Sequence, residues 1–165
     1  MDFDSMDSLV ALKGLHAAGV KNDQIKDLDI ILLPENADST EELYDAQDTI
    51  SLSKLLKAEG INCANSYDLG LDIPTKERRS NDIWFGHLYI FNDTILPILT
   101  GAISGILSPL IMDWLKRKDK REPAGMVHVV ITVINEKGKT ELKYDGGPEG
   151  LVKIIKTLEQ PSDES

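Results

Sequence analysis

TILPILTGAISGILSPLIMDWLKRK, residues 94–118, is the stretch on which the reading of this chain turns. From Thr94 to Met112 it carries no charge, and Lys116, Arg117 and Lys118 then arrive together. A bilayer span needs about 20 apolar residues, which this run nearly supplies. Trp114 beside the cations resembles an interfacial anchor, and Gly101 and Gly105 have the spacing at which membrane helices approach closely. Against a span, the basic C-terminal side would stay in the cytoplasm, so the acidic front of the chain would have to cross. Pro109 also removes a helical hydrogen bond, whereas Pro97 is tolerated in a first turn capped by Asp93. The two prolines equally suit a re-entrant hairpin that returns to its own side. A further reading is a core helix packed on a sheet through the small face Gly101, Ser104, Gly105 and Ser108. That face could instead meet its copy in an oligomer.

Charge is distributed unevenly around this segment. Up to Asp93 there are 18 acidic against 8 basic residues, and beyond it 10 against 10, giving the net charge of -10. The front half therefore repels a phosphate backbone, and no nucleic-acid partner is expected. Lys116, Arg117, Lys118, Lys120 and Arg121 form a basic flank with two readings. One is a solvated helix end that complements the helix dipole, and the other is a patch attracted to anionic lipid. Cys63 is alone, so neither an intrachain disulfide nor a cysteine-based zinc cluster is possible, and a reducing cytosol is expected. The start, MDFDSMDSLVALKG, is acidic where a secretion signal is basic, so no cleaved signal is read there. The expected location is cytoplasmic, with membrane association through 94–115 as the alternative.

Periodicity divides the rest. Leu9, Leu12 and Leu15 recur at helical spacing over 5–18, with Asp4 or Ser5 as cap and Gly19 as stop. LDIILLP, 28–34, is a short apolar run closed by proline and reads as a buried strand. Ser39 and Glu42 have capping-box spacing, predicting a helix from there to Glu59, ended by Gly60. INCANSYDL, 61–69, reads as a weaker strand, so the three elements predict a βαβ unit with a parallel pair. Residues 72–82 form the most polar central stretch and read as a linker. VHVVITVI, 127–134, is apolar except at His128 and Thr132 and predicts an interior strand. NEKG makes a hairpin connection, and KTELKY alternates as a one-sided edge strand. DGGPEG opens a final helix with the stripe Leu151, Ile154, Ile155 and Leu158. The expected fold class is α+β: an N-terminal helix plus βαβ unit (1–73), a polar linker and helix entry (74–93), a long hydrophobic central helix with a basic exit (94–122), a C-terminal ββα unit (123–160) and a disordered tail (161–165).

Chemistry is sparse. His16, His87 and His128 fall in three different elements without a ligand partner at local spacing, so no metal is expected. The connection after the first strand, PENADSTEE, lacks the glycines a dinucleotide turn requires, and no hydrolase, Walker or calcium-loop motif occurs. Arg78 and Arg79 could hold a carboxylate or phosphate, but neighbouring side chains point apart, and the alternative is a surface pair with nearby acids. Cys63 could pair with a histidine as a nucleophile, or be a small apolar strand residue. DGGPEG could bind an anion through backbone N–H groups, although Asp145 and Glu149 oppose one. A catalytic site and a cofactor are not expected. The competing expectation is a ligand-binding or enzymatic α/β domain with its site at the strand C-terminal ends, near Pro34–Asp38 and Tyr67–Asp72. Another is a membrane-disrupting effector that uses 94–115.

From Thr94 onward the order is a glycine-containing hydrophobic helix (ILTGAISGIL), a basic exit (WLKRK), a strand (VHVVITVI), a glycine turn (NEKG), a second strand and a striped helix. It resembles the effector-associated constant components of bacterial conflict systems. DLDIILLP followed by EELYDAQDTISLSKLLKAEGI is similar to bacterial stress-response or defence accessory proteins. The resemblance implies a coupling or accessory role with a protein partner or self-association, and it supplies no site residues. The longer acidic front departs from it. The expected association element is therefore Gly101, Ser104, Gly105, Ser108 and Trp114, with the basic flank beside it.

Overall fold

The structure is a computed structural model, and it describes residues 13–37, 42–78, 81–116, 125–135 and 138–159. The first elements are two short helices, α1 (Lys13–Ala17) and α2 (Asn22–Ile25), followed by strand β1 (Ile30–Leu33). Strand β2 (Asp45–Ala46) leads into helix α3 (Thr49–Ala58). Strands β3 (Cys63–Ala64), β4 (Thr75–Lys76) and β5 (Ile83–Ile90) come next, then helix α4 (Leu96–Lys116). Strands β6 (Val127–Asn135) and β7 (Gly138–Gly146) and helix α5 (Pro148–Glu159) complete the described chain. Of 1–12, with the proposed start of the first helix and its cap, of 38–41 and 79–80, with Asp38 and Arg79, of 136–137 in the hairpin connection, and of 117–124 and 160–165, nothing is described.

The architecture is mixed α and β. A five-stranded sheet has the order β3-β1-β5-β6-β7, and β2 and β4 pair in a small sheet of their own. β1 runs parallel to β3 with α3 between them in the chain, and β5 runs parallel to β6 with α4 between them. The β1–β5 and β6–β7 pairs are antiparallel. β1, IILL, is fully buried because both faces are covered, which is why its apolar run is continuous rather than alternating. On one face Ile30, Leu32, Leu88 and Ile131 meet Leu52, Leu56, Leu99, Ile103, Leu107 and Ile155 of the helices. On the other, Ile31, Leu33, Tyr89 and Ile134 meet Leu15, Val20 and Ile25.

Several sequence expectations are corrected. The helix anticipated from Ser39 begins at Thr49, because Asp45 and Ala46 are extended and pair with Thr75 and Lys76. Ser39 lies outside the described residues. The strand expected over 61–69 shortens to Cys63–Ala64, since Asn65 accepts from the Asp68 N–H and turns the chain. The assigned linker 74–93 contains β5, the central strand of the main sheet. Its alternation is broken at Gly86, φ +76°, where the register with β6 shifts. There the backbone comes so close that an added Cβ would lie 2.9 Å from the Leu33 carbonyl oxygen.

α4 is one continuous helix through Pro109, so the re-entrant hairpin falls. Asn92, not Asp93, caps its entry by accepting from the Thr94 N–H and hydroxyl. Among the described residues no helix is long and apolar enough to cross a membrane. The small face does not pack on the sheet either. Leu96, Leu99, Ile103 and Leu107 do so, because their larger side chains fill the layer, and Gly101 and Gly105 face outward.

Candidate functional site

The outer side of α4 gathers residues that recur at three- and four-residue intervals: Pro97, Ile98, Gly101, Gly105, Ser108, Pro109 and Met112, all exposed, with Ser104 half-buried at the margin. Met112 is 52% and Ile98 37% exposed, large values for apolar side chains on a helix whose other side is core. At Gly101 and Gly105 an added Cβ would meet nothing within 4 Å among the described residues. Pro109 cannot donate to the Gly105 carbonyl, so the stripe also presents a backbone acceptor. The Ser108 hydroxyl donates to the Ser104 carbonyl at 2.7 Å and is thereby turned back onto the helix. The result is an uncharged strip whose middle is low enough for another backbone to come close. Fold and sequence thus bring Gly101, Ser104, Gly105 and Ser108 together. Lys116 ends the helix exposed. The Trp114 side chain and Arg117, Lys118, Lys120 and Arg121 lie outside what is described.

A second cluster assembles across the sheet on the face opposite α3, α4 and α5. The Arg78 guanidinium donates to both oxygens of Glu35 at 2.6 Å and lies 3.7 Å over the Trp84 ring. Trp84 stacks in turn on His128, with ring centroids 3.8 Å apart and planes 17° apart. His128 is held through Nε2 by Asp82 at 2.8 Å and through Nδ1 by Asp145 at 2.7 Å. Ionised carboxylates only accept, so the imidazolium, with hydrogen on both ring nitrogens, is the form that satisfies both contacts at once. Burial disfavours that charge most, but the hydrogen bonds and charges of Asp82 and Asp145 together outweigh it and raise the pKa of His128. Gln47 ties the ends together, accepting from the Arg78 N–H and donating to the Asp82 carbonyl. The charged groups pair with one another, so the cluster acts as a clasp joining the segment after β1 to β5, β6 and β7.

Beside the clasp, His87 bonds the Thr132 hydroxyl at 2.7 Å, and Thr132 donates to Glu141 at 3.3 Å. The Tyr89 hydroxyl and the Trp84 Nε1 are buried without a hydrogen-bond partner among the described residues. Burial, reinforced by the charge of Glu141, pushes the Tyr89 hydroxyl up to about 12. At the strand C-terminal ends, where a ligand site was the competing expectation, the polar groups engage each other. Ser66 donates to Asp45 at 2.6 Å, Asn65 donates to Ser53, and Lys57 pairs with Asp68 at 2.6 Å. Cys63 is buried beside the Ser53 carbonyl, and burial raises its thiol above the ordinary value. Among the described residues no group of three or more His, Cys, Asp and Glu side chains could hold a metal ion.

Sequence reasoning missed the clasp because its members are remote: Asp82 is 46 and Asp145 is 17 residues from His128. One signal was available. His128 and Thr132, the two polar interruptions of β6, are four apart and so share a face. Compared with known proteins, the chain matches no family model, no curated protein and no solved structure.

Proposed function

We propose that this chain is a non-enzymatic accessory protein that assembles through the outer face of α4, with the α4 of a second copy as the occupant. The observation that carries the reading is the pair Gly101 and Gly105. Glycine in a helix interior costs about 1 kcal/mol relative to alanine, and among the described residues nothing occupies the space that a side chain would fill. Close approach of another helix is a physical use for that space.

Charge favours a second copy. Two chains of net charge -10 repel over most of their surfaces. The strip from Thr94 to Met112 is uncharged, so a two-fold contact there brings no like charges together. The accessory role, in a bacterial defence or stress system, follows the resemblance of the region from Thr94 onward to effector-associated constant components. The test is the molar mass of purified protein by sedimentation, with and without Gly101→Ile/Gly105→Ile. A mass above the monomer that the substitutions lower supports the reading. An unchanged mass, or a monomer that instead co-sediments with lipid vesicles, overturns it.

A further inference from the structure

We infer that β7 is a self-pairing edge, through which two copies of this chain join antiparallel with Leu142 facing Leu142 of the second copy. β7 ends the five-stranded sheet, and among the described residues its outer side pairs with nothing. Exposed edges are ordinarily blunted by shortness, proline, a bulge or charged side chains, and of these β7 carries only the charges. β7 runs nine residues, contains no proline, and pairs with β6 from Val127↔Gly146 to Asn135↔Gly138 without a register shift. Its charges alternate in sign along one face: Lys139, Glu141, Lys143, Asp145.

That alternation is self-complementary. With Leu142 at the two-fold axis, Lys139 meets Asp145 and Glu141 meets Lys143, each twice, and all of these cross-strand pairs are opposite in charge. A slip of two residues one way sets Glu141 against Glu141 and Lys139 against Lys143. The opposite slip sets Lys143 against Lys143 and Glu141 against Asp145. The charges therefore select one register rather than merely permitting contact. A two-fold axis normal to the sheet keeps the charged face on one side and Thr140, Leu142 and Tyr144 on the other, continuing the helix-covered face. The acids are already anchored inward, Asp145 by His128 at 2.7 Å and Glu141 by Thr132 at 3.3 Å. Lys139 and Lys143 are exposed and make no ion pair among the described residues.

This edge is independent of the α4 contact, and the experiment keeps the two apart. Sedimentation is run on the full chain carrying Gly101→Ile/Gly105→Ile, to which Lys143→Glu or Glu141→Lys is added singly. Each single change places two like pairs in the homodimer and weakens it about tenfold or more, yet an equimolar mixture of the two restores four opposite pairs and recovers the dimer. A protein that merely fails to fold is not rescued by mixing. A monomeric glycine-substituted parent, single variants that associate as tightly as that parent, or a mixture that stays monomeric would each overturn the proposal. If the α4 reading alone fails, the glycine substitutions are silent and the mixing result still decides β7.

Discussion

Replacing Gly101 and Gly105 with isoleucine should stabilise the single chain while disrupting its assembly through α4. Both glycines lie inside the 21-residue α4, exposed, with open space where a side chain would project. Isoleucine is roughly 0.5 kcal/mol better than glycine in a helix interior, so the pair gains about 1 kcal/mol. For a chain of this size that raises the melting temperature by about 2–4 °C. Assembly moves the other way. Helix axes approach to about 8 Å only across small residues, and two branched side chains on each copy hold them near 10 Å, opening a gap along the strip. A loss of about 100-fold in affinity, or roughly 2.7 kcal/mol, is expected. Thermal unfolding at high dilution reads the first effect and sedimentation the second. If the melting temperature falls by several degrees, these positions are not open as described. An affinity that does not change would refute α4 as the contact.

Other consequences follow from the clasp and the bulge. Because the folded-state pKa of His128 is raised above 6.5, its stabilisation is complete below 6.5 and lost as pH rises through the folded value. The stability gap between the wild type and His128→Gln should therefore be wide at acidic pH and narrow at alkaline pH in denaturant titrations. A gap that widens with pH would contradict the imidazolium assignment. Arg78→Lys keeps the charge but loses the paired donation to Glu35 and the stack on Trp84, so about 1–3 kcal/mol of stability should disappear. Loss of less than a few tenths would show the clasp to be incidental. Gly86→Ala should cost about 2 kcal/mol, from a strained positive φ and a clash with the Leu33 carbonyl. Calorimetry that finds this variant as stable as the wild type would discredit the close approach at β5.

Local patterns made part of this legible. The unbroken apolar run of β1, the interior character of β6, the one-sided alternation of β7 and the stripe of α5 are each a periodicity that a short window contains. The misplaced elements failed where local signals conflicted with pairing. Ser39 and Glu42 offered a cap, yet Asp45 and Ala46 were recruited to β4, and tertiary pairing outweighs a weak propensity. β5 was hidden because Gly86 interrupts its alternation, and only the contact with Leu33 explains that glycine.

By itself, the sequence determined that residues 94–112 form an uncharged segment and that glycines recur in it four residues apart, since both are properties of the chain's covalent order. It could not decide which side of that segment would be covered. Small and large residues both line α4, and the large ones won the sheet because filling the layer at close packing removes more apolar surface from water than seating glycines there. The same holds for the clasp. No local pattern joins Arg78, Trp84 and His128, and they become one stack only because β5 and β6 are brought parallel by a helix that crosses between them.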